Sequence, residues 1–173
     1  SSSVGSGAAR GFVIGENSTN LGPQNVYILD TNISAVKGCV VYSCGGLNIS
    51  NLGILNCVNA FVVYPSSSQA VGGIFANNMQ CDTCSGTGMQ IYSNGGPVYL
   101  VIIENSETNA NGTSSSNHGV DIQQGGGTIS GVNFINHQAV LNWGNGVLIG
   151  PSTYVSFSNP QIGKNSIAGS GVK

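Results

Sequence analysis

The sequence predicts an all-β fold, a right-handed parallel β-helix (solenoid) of about six turns with three short strands per turn. Three observations predict it. A phrase of glycine, apolar, any residue, apolar recurs along the chain. A second, bent pattern of inward-facing residues sits between successive copies. Asparagine collects at the bend of that second pattern.

In chain order, the first phrase reads GFVIG from Gly11, GCVVY from Gly38, AFVVY from Ala60, GMQIY from Gly88, GVDIQ from Gly119 and GVLIG from Gly146. The intervals are 27, 22, 28, 31 and 27 residues. Self-similarity at a period of roughly 20–50 residues marks a solenoid, in which each unit buries its apolar side by stacking on its neighbours. Apolar residues two apart within each copy form a strand with one face inward. Gly171, Val172 and Lys173, 25 residues beyond Gly146, read as a seventh copy cut short.

The second pattern is apolar, x, apolar, then two residues, then two further inward positions separated by one. It reads Val26, Ile28, Thr31 and Ile33, then Leu47, Ile49, Leu52 and Ile54, then Ile74, Ala76, Met79 and Cys81. It continues as Val98, Leu100, Ile103 and Asn105, as Ile129, Gly131, Phe134 and Asn136, and as Val155, Phe157, Pro160 and Ile162. Period 2 on both sides of a two-residue interruption predicts two strands meeting at a tight corner. The second residue of that corner reads Asp30, Asn51, Asn78, Ile102, Asn133 and Asn159. Asparagine accepts a left-handed backbone and hydrogen-bonds to neighbours above and below, which suits a repeated corner. Turns stacked at the usual strand spacing of about 4.8 Å give a rod of roughly 30 Å. An antiparallel sandwich would not need one phrase to return so often. Helices are excluded because no window holds a 3.6-residue period through so many glycines and β-branched residues.

Composition bounds the partners. Only 6% of the 173 residues are charged, 40% are hydrophobic and the formal net charge is −2, whereas an ordinary domain has about a quarter charged residues. The chain is too apolar for disorder. Arg10, Lys37, Lys164 and Lys173 are too few to neutralise nucleic-acid phosphates or to hold an anionic membrane surface. Apolar runs such as Val98 to Ile103 are far shorter than the ~20 residues of a membrane span. Neither nucleic acid nor a membrane is an expected partner. Residues 1–10 read as a linker and residues 11–173 as a single β-helix domain. With no initiator methionine or signal segment at its start, the chain reads as a piece of a longer protein.

Five cysteines are present: Cys39, Cys44, Cys57, Cys81 and Cys84. In the register above Cys39 and Cys81 point inward, and Cys57 and Cys84 share an inward column on consecutive turns. Two readings stand, a stack of buried free thiols or a disulfide from Cys57 to Cys84 or within the C-x-x-C of Cys81 and Cys84. His118 and His137 lie in different turns without a second C-x-x-C, so no zinc site is expected. No cofactor is expected either.

The recurring phrase, the asparagine corners, and stretches such as GGIFANNMQCDTCSGTGMQIY and VSFSNPQIGKNSIAGSG resemble the pectate-lyase-like right-handed β-helices over residues 11–173. Within that family they look most like the shafts of bacteriophage tailspikes and tail fibres. The resemblance implies a homotrimeric protein of the virion tail, extracellular in action, that recognises bacterial surface polysaccharide and in some members cleaves it by hydrolysis or elimination. Folding in the reducing host cytoplasm would fit unpaired cysteines. The chain departs from the family's enzymes: it has no Asp-Asp pair or Gly-His-Gly stretch of the polygalacturonase type, and no counterpart of the calcium-binding carboxylates and catalytic arginine of pectate lyases. Pectinase chemistry is therefore not expected.

Outward positions of a solenoid stack into columns. On the first strand one column reads Val13, Val40, Val62, Gln90, Asp121 and Leu148, and the next reads Gly15, Tyr42, Tyr64, Tyr92, Gln123 and Gly150. Tyr42, Tyr64 and Tyr92 would form a flat aromatic strip for sugar rings, with Gln90, Asp121 and Gln123 binding their hydroxyls. The same strip, with Val40 and Val62, would equally serve a subunit contact in a structural trimer shaft. For catalysis the candidates are Asp82, Glu104 and Glu107, expected outward and one level apart, with His137 as a proton carrier. Two carboxyls roughly 5–10 Å apart are what glycoside hydrolysis needs. The stretch from Glu107 to Gly119 reads as an irregular insertion of the kind that carries specificity. A receptor-binding or shaft segment is the leading expectation, a polysaccharide depolymerase the alternative, and a purely structural shaft the third.

Overall fold

The glycine-led phrases fold as predicted, into one face of an all-β parallel solenoid of about six coils. The computed structural model describes residues 10–16, 19–34, 36–151 and 154–165, so the expected seventh copy and residues 1–9 of the expected linker lie outside the described residues. Arg10 already belongs to the first strand.

The first coil holds β1 (Arg10–Ile14), β2 (Asn20–Leu21) and β3 (Val26–Ile33), and the second holds β4 (Lys37–Val41) and β5 (Leu47–Leu55). The third holds β6 (Asn59–Val63) and β7 (Gln69–Asp82), and the fourth β8 (Met89–Ser93), β9 (Val98–Glu104) and β10 (Glu107–Asn109). The fifth holds β11 (Val120–Gln124), β12 (Ile129–Ile135) and β13 (Gln138–Val140), and the sixth β14 (Val147–Ile149), β15 (Val155–Ser158) and β16 (Gln161–Gly163). Strands β1, β4, β6, β8, β11 and β14 pair in that order as one parallel sheet. The bent strands β3, β5 and β7 stack on one another. In the later coils the corner divides the bend into a first arm, β9, β12 and β15, and a second arm, β10, β13 and β16.

Inward columns fill the core with apolar side chains, for example Ile33, Ile54 and Cys81 in register and all buried. The glycine that opens each phrase has a packing cause. A Cβ on Gly38 would lie 2.3 Å from Cγ2 of Ile54 and 2.4 Å from the carbonyl oxygen of Ala60, closer than real side chains stand. Ala60 itself replaces glycine in the coil whose inward residue at that level is Cys81, smaller than Ile54.

The fourth and fifth coils correct the expected register by three residues. Val101 and Val132, not Val98 and Ile129, stand in line with Ile74. Val98 and Ile129 instead extend an extra buried rung begun by Cys44 and Val71. That rung turns into the first arm through left-handed residues Gly73, Leu100 and Gly131. The pattern Val98-x-Leu100 imitates an inward pair, yet Leu100 is an exposed corner.

The corrected register makes the corner column Asp30, Asn51, Asn78, Asn105, Asn136 and Asn159, all left-handed with φ between 48° and 56°. Ile102 and Asn133, expected in that column, lie on the first arm instead. Side-chain amides join the coils: Asn51 donates to Asp30 at 2.6 Å, Asn78 to Asn51 at 2.8 Å, Asn136 to Asn105 at 3.0 Å and Asn159 to Asn136 at 2.9 Å. Asparagine at such positions relieves the roughly 1–2 kcal/mol that a left-handed residue otherwise costs.

A third left-handed corner, at Asn56, Thr83, Ala110, Leu141 and Lys164, is followed by an inward column reading Cys57, Cys84, Asn111, Asn142 and Asn165. Asn111 and Asn142 are fully buried. Asn111 Nδ2 donates to the Cys81 carbonyl at 2.9 Å while its Oδ1 accepts from the Cys84 amide at 3.0 Å, and Asn142 repeats the arrangement on the next coil, donating to the Thr108 carbonyl at 3.0 Å and accepting from the Asn111 amide at 3.2 Å.

Candidate functional site

The tyrosine column forms where the sequence places it. Tyr92 pairs with Gln123, and the backbone bonds from Tyr42 to Ile14 and from Tyr64 to Val41 carry the same register upward. Its rings are not laid out as a flat strip. Tyr64 and Tyr92 stack face to face, centroids 5.2 Å apart and planes within 17°. Coplanar neighbours on a surface could not approach so closely. Tyr92 continues over Gly125, where a Cβ would meet its ring at 2.3 Å from Cζ, and the guanidinium of Arg10, itself paired with Glu16, lies over Tyr42. The ring faces are thus largely used within the chain, leaving a half-buried ladder that ties coils together. Val40 and Val62, offered above as subunit-contact residues, are only 2% and 7% exposed within one chain.

Beside the ladder, Asp121 is buried and accepts a hydrogen bond from Gln123 Nε2 at 2.8 Å. Burial raises its carboxyl above the usual range, against the opposing pull of the Gln123 bond and of His118. His118 is also buried, which lowers its pKa although Asp121 raises it. The His118 Nδ1 accepts the Asn145 amide at 3.0 Å, the last of three rungs in which Asn59, Thr87 and His118 each cap the next coil. Gln90 stands half-buried next to Asp121. Of the polar residues expected to bind sugar, Asp121 and Gln123 bond to each other along one strand.

Of the expected catalytic carboxylates, the Asn105 corner sets Glu104 apart from the other two, while Asp82 and Glu107 stand at outward positions of adjacent second-arm rungs, two residues apart in register. Glu104 closes the first arm, with its Oε2 3.5 Å from Asn77 Nδ2, whereas Glu107 lies past the Asn105 corner in a polar groove with Gln80, Gln138 and Gln161. Asp82 is in register with Asn109, and the Oδ1 atoms of both are buried without a hydrogen-bond partner. Neither surface groove that holds one of the two glutamates holds another member of the three. His137, expected as a proton carrier, is fully buried on an inward column. Its Nδ1 is 2.8 Å from Ser106 Oγ, its ring packs edge-on against Phe134, and burial lowers its pKa to about 4.

All five cysteines are free and buried. Burial pushes the thiols of Cys39 and Cys84 up to about 12 and that of Cys44 up to about 11, so they pack as small apolar groups. Among the described residues no group of three or more His, Cys, Asp or Glu side chains is arranged to hold a metal ion. The expected irregular insertion begins as strand β10 and ends in an ordered turn, where the Asn117 side chain accepts from the amides of Thr113 and Ser114.

Two exposed aromatic residues, Tyr27 and Phe75, share one column of the neighbouring face. One outward column of the first arm reads Tyr27, Asn48, Phe75, Ile102, Asn133 and Ser156, and the other reads Leu29, Ser50, Asn77, Glu104, Ile135 and Ser158. Tyr27, Leu29 and Phe75 are 63%, 55% and 42% exposed. With Ile102, Asn48, Ser50, Asn77 and Glu104 they line a groove of about 420 Å³. Sequence reasoning passed over this face because Asn48 and whole coils separate its aromatics, and because the three-residue shift hid Ile102. The available signal was aromatic residues at outward positions, Tyr27 between Val26 and Ile28 and Phe75 between Ile74 and Ala76. Comparison with protein-family models, curated proteins and solved structures returned no match to this chain.

Proposed function

We propose that this chain is a glycan-recognising segment of a β-solenoid fibre, a receptor-binding part of a phage tail of the kind its sequence resembles. Its binding face is the groove of Tyr27, Leu29, Phe75 and Ile102. The observation that supports this reading is the exposure of two aromatic rings amid amide, hydroxyl and carboxylate side chains. Pyranose rings offer C–H faces to aromatic side chains and hydroxyl rims to amides, and sugar sites combine both kinds of group. Tyr27 and Phe75 are two coils apart, about 10 Å at the usual strand spacing. A glycan lying along the solenoid axis meets both rings.

The test is a calorimetric titration of the full chain with bacterial surface polysaccharide, comparing the native protein with the double variant Tyr27→Ala, Phe75→Ala. Each lost ring is worth about 1 kcal/mol, so the pair weakens binding about 30-fold. Unchanged affinity overturns the reading. So does a double variant that loses subunit assembly, measured by sedimentation, since the face is then a subunit contact.

A further inference from the structure

We infer that the groove of Tyr27 and Phe75 selects a neutral glycan bearing N-acetyl groups and excludes acidic ones; the inference rests on the glycan-binding reading of that groove. Its charge is one-sided. Glu104 stands at one end with no basic side chain among the lining residues. Of the described cations, Arg10 is paired with Glu16, Lys37 lies in β4 on another face and Lys164 is at the third corner. A uronic acid, sialic acid or phosphate in the groove would therefore meet a carboxylate with nothing to offset it.

The apolar residues add a second requirement. Leu29 and Ile102 sit among Asn48, Ser50 and Asn77, so a hydroxyl set against them would lose water without gaining a partner. An acetamido group resolves this, because its methyl packs on leucine and isoleucine while its N–H and carbonyl reach the asparagine amides on the same face. A plain hexose polymer lacks that methyl.

The experiment titrates the full chain with three oligosaccharides of equal length: an N-acetylglucosamine oligomer, a glucose oligomer and a hyaluronan oligomer, which alternates N-acetylglucosamine with a uronic acid. The first is expected to bind about fourfold tighter than the glucose oligomer, the worth of one buried methyl, and about tenfold tighter than hyaluronan, through one carboxylate repulsion. The variant Glu104→Gln, isosteric and on the surface, is expected to bring hyaluronan within about threefold of the N-acetylglucosamine oligomer. Equal affinity of the native protein for all three overturns the selectivity and leaves glycan binding standing. Hyaluronan bound as tightly as the neutral oligomer overturns the charge step by itself. If none of the three binds, nor bacterial surface polysaccharide, the reading of the groove falls with it.

Discussion

Replacing Asn111 by alanine tests whether the buried amide column holds the later coils together. The side chain is fully buried and makes two bonds to the main chain of the preceding coil, from Nδ2 to the Cys81 carbonyl and from the Cys84 amide to Oδ1. Alanine leaves both backbone groups dry and unpaired, at about 1–3 kcal/mol each, so the expected loss is about 4 kcal/mol. That is a large fraction of the roughly 5–15 kcal/mol available to a domain. The control is Asn105→Ala in the exposed ladder. It loses the bond from Asn136 and places alanine at φ 48°, for about 1–2 kcal/mol. Urea unfolding followed by circular dichroism and by the single tryptophan, Trp143, reads both variants, and Trp143 sits next to Asn142 of the same column. If Asn111→Ala costs no more than Asn105→Ala, the column is not what ties these coils.

His137 prefers its neutral form in the fold, with a pKa near 4 against about 6.5 when unfolded. Its contribution is therefore complete above pH 6.5 and is lost as pH falls towards 4. The urea midpoint should drop over that window by the equivalent of about 3 kcal/mol, and His137→Met should flatten the slope. An equal slope in the variant would sink the assignment. A thiol reagent should find no reactive cysteine in the native protein and five after unfolding, because all are buried and free; rapid native labelling would contradict the burial. Leu141→Asn should raise stability by about 1 kcal/mol by relieving a left-handed leucine at φ 57° on an exposed corner. A lower midpoint would show that Leu141 packs against something.

Much of the fold was legible because a solenoid repeats each packing decision. The strands from Gly11 to Gly146 could be aligned because every copy must place small, then apolar, then free, then apolar residues against the same core. The fourth coil was misaligned because Val98-x-Leu100 has the same apolar spacing as Ile74-x-Ala76, and periodicity alone does not separate an inward leucine from one at an exposed left-handed corner. The asparagine ladder was visible in outline, and its completion by Asn105 and Asn136 needed the shifted register. Columns also do not specify ring orientation. Tyr64 and Tyr92 were identified as neighbours, but the stacking that uses up their faces depends on Gly125 admitting the ring of Tyr92. Asp82 and Glu107 do fall on neighbouring rungs past the asparagine corner, whereas Glu104 looked adjacent to them because sequence spacing does not show that the corner lies between.

The central claim is that the first-arm face, and not the tyrosine ladder, meets the glycan. Titration of surface polysaccharide into Tyr27→Ala and Tyr92→Ala, with an unfolding curve for each, tests it most directly. The account predicts that Tyr27→Ala weakens binding about fivefold with stability unchanged, while Tyr92→Ala lowers stability and leaves affinity as it was. Binding lost in Tyr92→Ala and kept in Tyr27→Ala would contradict it.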